Sequence, residues 1–139
     1  MNKFSIMIGQ FLLGLYFFAP GIRKFTTSDK LLAYMQSHDI AFASQLLWFA
    51  GAVSVIGGLL LMSGRHVKLV AYGFVVYVLL VNLMLHDFWT MSEDVAPREM
   101  QNFIKNLAIM SGLLAVAGYA SSRRLSLEGW WKSDKSLQR

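Results

Sequence analysis

This chain contains no cysteine, and among its 139 residues charged side chains are scarce. The first shortage removes disulfides, thiolate-ligated zinc, iron–sulfur clusters and any dithiol redox relay. The second is 15% charged residues, against roughly 25% in soluble domains, and it argues against a water-facing surface. A 55% apolar share and a mean hydropathy of +0.46 place the chain among membrane proteins. Internal repeats and low-complexity segments are also lacking. In a polar chain a net charge of +5 would suggest a nucleic-acid partner; in one this apolar it is read as basic ends that hold a membrane topology, with no nucleic acid.

What the chain has instead is long apolar runs. Residues 69–89 hold no charge from Leu69 to Leu85 and end in His86-Asp87-Phe88-Trp89. As a helix this stretch rises about 30 Å, the thickness of a bilayer's hydrocarbon core. It is apolar all round, which suits lipid rather than the core of so short a chain. Residues 4–22 form a first run behind Lys3, with no small-residue cleavage site after it, so it is read as a retained helix with Pro20 near its end. Residues 41–62 and 103–120 complete four runs. Between the first and second, Thr27 or Ser28 can cap a short amphipathic helix through Leu31, Leu32, Tyr34 and Met35. The expectation is an all-α integral membrane protein: a four-helix antiparallel transmembrane bundle over residues 1–120 with a short amphipathic helix in its first loop. A basic tail, 121–139, follows.

Four spans put both termini on one side. That side carries Lys3, Arg65, Lys68 and five basic tail residues; the other carries Arg23, Lys24, Lys30, Arg98 and Lys105 among six acids. The positive-inside rule then places both termini in the cytoplasm. His86 and Asp87 face outward.

Helices in lipid pack through small and polar residues. The inner stripes are therefore read as Gln10, Gly14, Phe17, Gly21 and Lys24; Ala43, Leu47, Ala50, Ser54 and Gly58; Asn82, His86 and Trp89; and Lys105, Ala108, Gly112 and Ala115. Gly14, Ser54, Gly58, Asn82, Ala108 and Gly112 are the packing positions, and leucine at Gly112 is expected to clash. Such a bundle gathers Lys24, His86, Asp87, Trp89, Lys105 and Asn106 at its outer end as candidate ligand-binding residues. Each has a plainer reading: Lys24 as a snorkelling anchor, His86 and Asp87 as a helix end, Trp89 as aromatic belt. Lys105, inside an apolar run, calls for a partner, and Asp87 is the expected one. No metal site is read, and no catalytic residue is assigned.

In order and spacing these motifs resemble the DoxX family of small four-helix bacterial inner-membrane proteins. Gly21 to Lys24 is similar to its G-x-x-K, and Ala33-Tyr34-Met35 to its loop-one motif. His86-Asp87-Phe88-Trp89 resembles H-[DH]-[FY]-W, Phe103-Ile104-Lys105-Asn106 resembles F-x-K-N, and Ser126-Leu127-Glu128 is near S-[LI]-D. Two features depart: Ser54 stands where relatives often have glutamate, and Ser37-His38-Asp39-Ile40 where they tend to have Gly-x-Pro. The resemblance implies a bacterial inner-membrane protein. It also implies relatives that include the small subunit of an archaeal thiosulfate:quinone oxidoreductase and a mycobacterial component linked to redox defence.

Two functions compete. In the first, the chain is a quinone-linked redox membrane subunit. His86, Lys105 and Lys24 would bind the carbonyl oxygens, Trp89 would stack on the ring, and a redox partner subunit would supply electrons. In the second it is a non-catalytic anchor or assembly partner for another protein, or for a second copy of itself. A transporter fits poorly, because the mid-membrane region offers only Ser54, Asn82 and Ser111. A haem protein fits worse, because His66 lies at the opposite end from His38 and His86.

Overall fold

The structure, a computed structural model, describes residues 3–120. Within them the chain is all-helical: α1 (Lys3–Thr26), α2 (Ser28–Gln36), α3 (Ala43–Ser63), α4 (Val67–Leu85), a 3-10 turn (Phe88–Thr90) and α5 (Ala96–Tyr119). Three segments are long and apolar enough to cross a membrane: α1, α3 and Val67–Thr90. The 24-residue α5 matches α1 in length, but Glu99, Asn102, Lys105 and Asn106 make its first half polar. The expected tail at 121–139 lies outside the described residues.

Two boundaries differ from the sequence reading. The first helix does not end near Pro20 but continues to Thr26, with Pro20 inside it. The last begins at Ala96 rather than 103. Pro97 sits in its first turn, where a missing N–H leaves no intrahelical bond unmade and the fixed φ favours the helix. The turn between α3 and α4 is short and carries Arg65 and His66. Gly64 closes α3 in the left-handed region, φ 69°, and Arg65 N donates to Leu60 O at 2.9 Å.

α1 and α3 pack backbone to backbone. A Cβ on Gly58 would lie 2.7 Å from Gly14 O, and one on Gly21 would lie 2.9 Å from Ser54 Cβ. Small residues allow that approach, which lipid itself does nothing to drive. Gln10 Nε2 donates to Leu61 O at 2.6 Å across the same interface. Phe17 then stacks on Phe74 of α4, ring centroids 3.8 Å apart, in a core with Leu61, Val78 and Leu113. Gly14, Ser54, Gly58 and Asn82 are all buried.

The inner stripe of α5 has to be corrected. Its buried residues are Glu99, Asn106, Leu113, Val116 and Ala117, while Lys105, Ala108 and Ala115 are exposed. Gly112 is half-buried, and a Cβ there would meet only Leu13 side-chain atoms, at an ordinary 3.6 Å. The physical reason is a hydrogen-bonded pair between helices. Asn106 Nδ2 donates to Asn82 Oδ1 at 2.7 Å, and Asn82 Nδ2 donates to Phe103 O at 3.1 Å. These bonds set the rotation of α5 about one residue, roughly 100°, away from the small-residue face.

Candidate functional site

Where α4 ends and α5 begins, the charge pair is not the expected one. Asp87 and Lys105 do not meet. Lys105 is exposed, and no described carboxylate lies within ion-pair distance of it. The partner role falls to Glu99, which is 4% exposed. His86 Nδ1 lies 2.7 Å from Glu99 Oε2, and Asn102 Nδ2 donates to the same oxygen at 3.0 Å. Arg98 Nε approaches Oε1 at 3.4 Å, from a side chain that is 73% exposed. Asn102 and His86 together supply the donors that a buried carboxylate needs. His86 Nε2 makes no hydrogen bond to a described residue.

The neighbours of this pair are placed by local turns. Asp87 leads the 3-10 turn, and its Oδ2 accepts from Thr90 Oγ1 at 2.7 Å; Oδ1 is buried without a hydrogen-bond partner among the described residues. Trp89 is 57% exposed, edge-on to Phe88 and Phe103 at 5.2 and 5.9 Å, as an interfacial anchor would be. Asn106 is committed to Asn82 inside the bundle. Of the expected ligand set, then, His86 and Asp87 remain at this end with one edge open, whereas Lys105 faces outward and Asn106 inward.

α2 is tied to this end by Tyr34, whose hydroxyl donates to Leu85 O at 3.0 Å. Burial first, then the nearby charges of Glu99 and Asp87, push the Tyr34 phenol up against the opposing pull of Arg98. Beneath α2 lies a cleft of about 240 Å³, walled mainly by apolar side chains such as Leu47, Val53 and Met84, with Tyr34 and Tyr77 in its lining. Its one cation is Lys24, from the last turn of α1, half-buried and without an ion-pair partner among the described residues. Leu46, Phe49, Leu80 and Met84 also line the cleft and are themselves exposed, so it opens on the apolar flank of the bundle. Deeper in, Tyr77 lies beside Ser54, whose buried Oγ makes no hydrogen bond of acceptable geometry.

Sequence reasoning missed Glu99 and gave no role to Tyr34 or Tyr77. Glu99 had a readable signal. Glu99, Asn102 and Asn106 recur at helical spacing behind a proline, one polar face of a helix that starts earlier than the apolar run.

The sequence model of the DoxX family matches residues 5–87, from α1 to the residue after His86. The chain is also similar to the inner membrane protein YphA of Escherichia coli (strain K12), with 26% identity over 112 residues, 81% of this chain and 80% of that protein. No solved structure matches it.

Proposed function

This chain belongs to the DoxX family, and from that premise we propose that it is a multi-pass inner-membrane protein whose apolar cleft holds the ring of a quinone, as the membrane subunit of a redox pair. The observation that carries the reading is Lys24, a half-buried ammonium without an ion-pair partner in an otherwise apolar cleft. A quinone ring needs hydrogen-bond donors for its carbonyl oxygens and apolar walls for the rest. Lys24 supplies one donor and the Tyr77 hydroxyl can supply another. The opening past Leu80 and Met84 leaves a path for an apolar tail into the bilayer. A bound quinone would supply the electron-accepting chemistry. This chain's residues bind and orient it, and with no thiol of its own the electrons come from a partner subunit.

The test is a photoreactive quinone analogue added to the purified chain in nanodiscs. Lys24→Met should weaken labelling about tenfold, equivalent to roughly 1.4 kcal/mol, and Tyr77→Phe by less. Equal labelling of wild type and Lys24→Met would exclude the cleft as the site. One observation favours the second reading, a non-catalytic anchor for another protein. Ala108, Ser111, Ala115 and Gly118 are all exposed on α5 at helical spacing, a small-residue face of the kind helices in lipid use to approach one another. Co-purification of a stoichiometric protein without quinone would decide for it.

The topology proposed with this function has α5 as a fourth span, antiparallel to α4. Its 24 residues rise about 36 Å, and Asn82 and His86 engage Asn106 and Glu99, two of the polar side chains that would otherwise be costly in lipid. Both termini then lie in the cytoplasm, because basic residues favour that side by eight to five. A reporter active only when exported should be silent after Arg139 and active after Ser92. Activity after Arg139 would overturn the assignment.

A further inference from the structure

A second cleft lies where α1 hands over to α2. It is open, about 610 Å³, and its walls carry three cations, Arg23, Lys24 and Lys30, against one carboxylate, Asp29; Pro20 and Leu31 form an apolar edge. None of the three cations has an ion-pair partner among the described residues. Ordinary helix electrostatics accounts for only part of this. Arg23 and Lys24 occupy the last turn of α1, where cations complement the dipole. Lys30 stands in the first turn of α2, the end at which a cation is unfavourable. On the proposed topology the cleft faces the periplasm, the side on which the positive-inside rule expects few cations. Three cations held together on that side, one of them also against the helix dipole, call for an anion.

We propose that this cleft binds the phosphate headgroup of an anionic phospholipid, with Arg23, Lys24 and Lys30 around the phosphate oxygens. Arginine takes an oxyanion with two parallel N–H bonds, and lysine adds a point charge. The lipid, rather than free phosphate, is the source because Pro20 and Leu31 form an exposed apolar edge and Leu31 also lines the cleft that opens on the apolar flank, where an acyl chain continues into the bilayer. The site is separate from the quinone cleft in its residues except at Lys24 and Leu31, which line both. Through Lys24 a bound headgroup draws the ammonium away from the apolar cleft, so lipid and quinone compete for one cation.

The experiment uses the full chain in nanodiscs of phosphatidylcholine with a minority of phosphatidylglycerol, and native mass spectrometry to read the lipids retained. Wild type should retain phosphatidylglycerol about fivefold over its share in the disc, and Arg23→Gln/Lys30→Gln should retain it at its share. Arg65→Gln, at the other end of the bundle, should keep the enrichment and serves as the charge control. No enrichment in wild type, or enrichment that survives the double variant, overturns the site. Equal loss in Arg65→Gln shows general surface charge and also overturns it. Titration with inorganic phosphate in pure phosphatidylcholine discs should give no binding heat. Heat without phosphatidylglycerol enrichment would identify free phosphate and overturn the lipid assignment. Because Arg23 and Lys30 do not line the quinone cleft, wild-type phosphatidylglycerol enrichment without quinone labelling fails the quinone reading alone, and quinone labelling without enrichment fails this proposal alone.

Discussion

Gly58→Ala should be among the most damaging single-methyl changes in the membrane domain, costing about 3 kcal/mol or more of stability. The added Cβ would lie 2.7 Å from Gly14 O, 2.8 Å from Phe18 N and 2.9 Å from Phe18 Cβ. Two of these are backbone atoms of a packed helix, so no rotamer change relieves them. α1 and α3 must separate, and the Gln10 to Leu61 hydrogen bond and the Phe17–Phe74 stack are held by that same close approach. Gly112→Ala is the matched control. Its Cβ meets only Leu13 side-chain atoms, at 3.6 and 3.7 Å, which is ordinary contact, and alanine is the better helix former by up to about 1 kcal/mol. Thermal melts of both variants in one detergent should differ widely in midpoint. If Gly58→Ala melts with Gly112→Ala, α1 and α3 are further apart than described.

The contrast between those glycines marks what could be read from sequence. In α1 and α3 the small residues are the closest-approach residues: Gly14, Gly21, Ser54 and Gly58 are buried at the positions the stripe predicts. Apolar runs legible by composition became helices with shifted ends. α5 broke the rule because bulky side chains, Leu113 and Val116, fill its share of the core, and because a pair of asparagines sets its rotation. A bond between Asn82 and Asn106 joins positions 24 apart, and one sequence offers no way to choose it over other polar contacts. The charge pair failed for a related reason. Asp87 is the nearest carboxylate to Lys105 only if the last helix begins at 103, which leaves Glu99 outside it. Once α5 starts at Ala96, Glu99 and Lys105 are six residues apart on one helix, about 240° around it, so burying one exposes the other. Asn102 and Asn106 fall near the Glu99 face by the same arithmetic. Lys24 was legible as a candidate, but its cleft was not, because Tyr34 reaches the end of α4 across 51 residues of chain.

Glu99→Leu should cost about 3 kcal/mol, because it strands donors rather than deleting a contact cleanly. The carboxylate is 4% exposed and accepts from Asn102 as well as meeting His86, so its loss leaves the imidazole Nδ1 and an amide N–H beside a methyl group. His86 keeps 18% side-chain exposure, so water recovers part of the loss, and the expected figure sits at the low end of that for buried pairs. Glu99→Gln should cost less, about 1–2 kcal/mol, since its amide oxygen still accepts one of the two bonds. Arg98→Ala should change little, because that guanidinium is 73% exposed and approaches only at 3.4 Å. A double-mutant cycle of Glu99→Gln with His86→Asn should give a coupling of roughly 0.5–3 kcal/mol at neutral pH. Additive effects would mean that the His86–Glu99 contact does not hold the ends of α4 and α5 together.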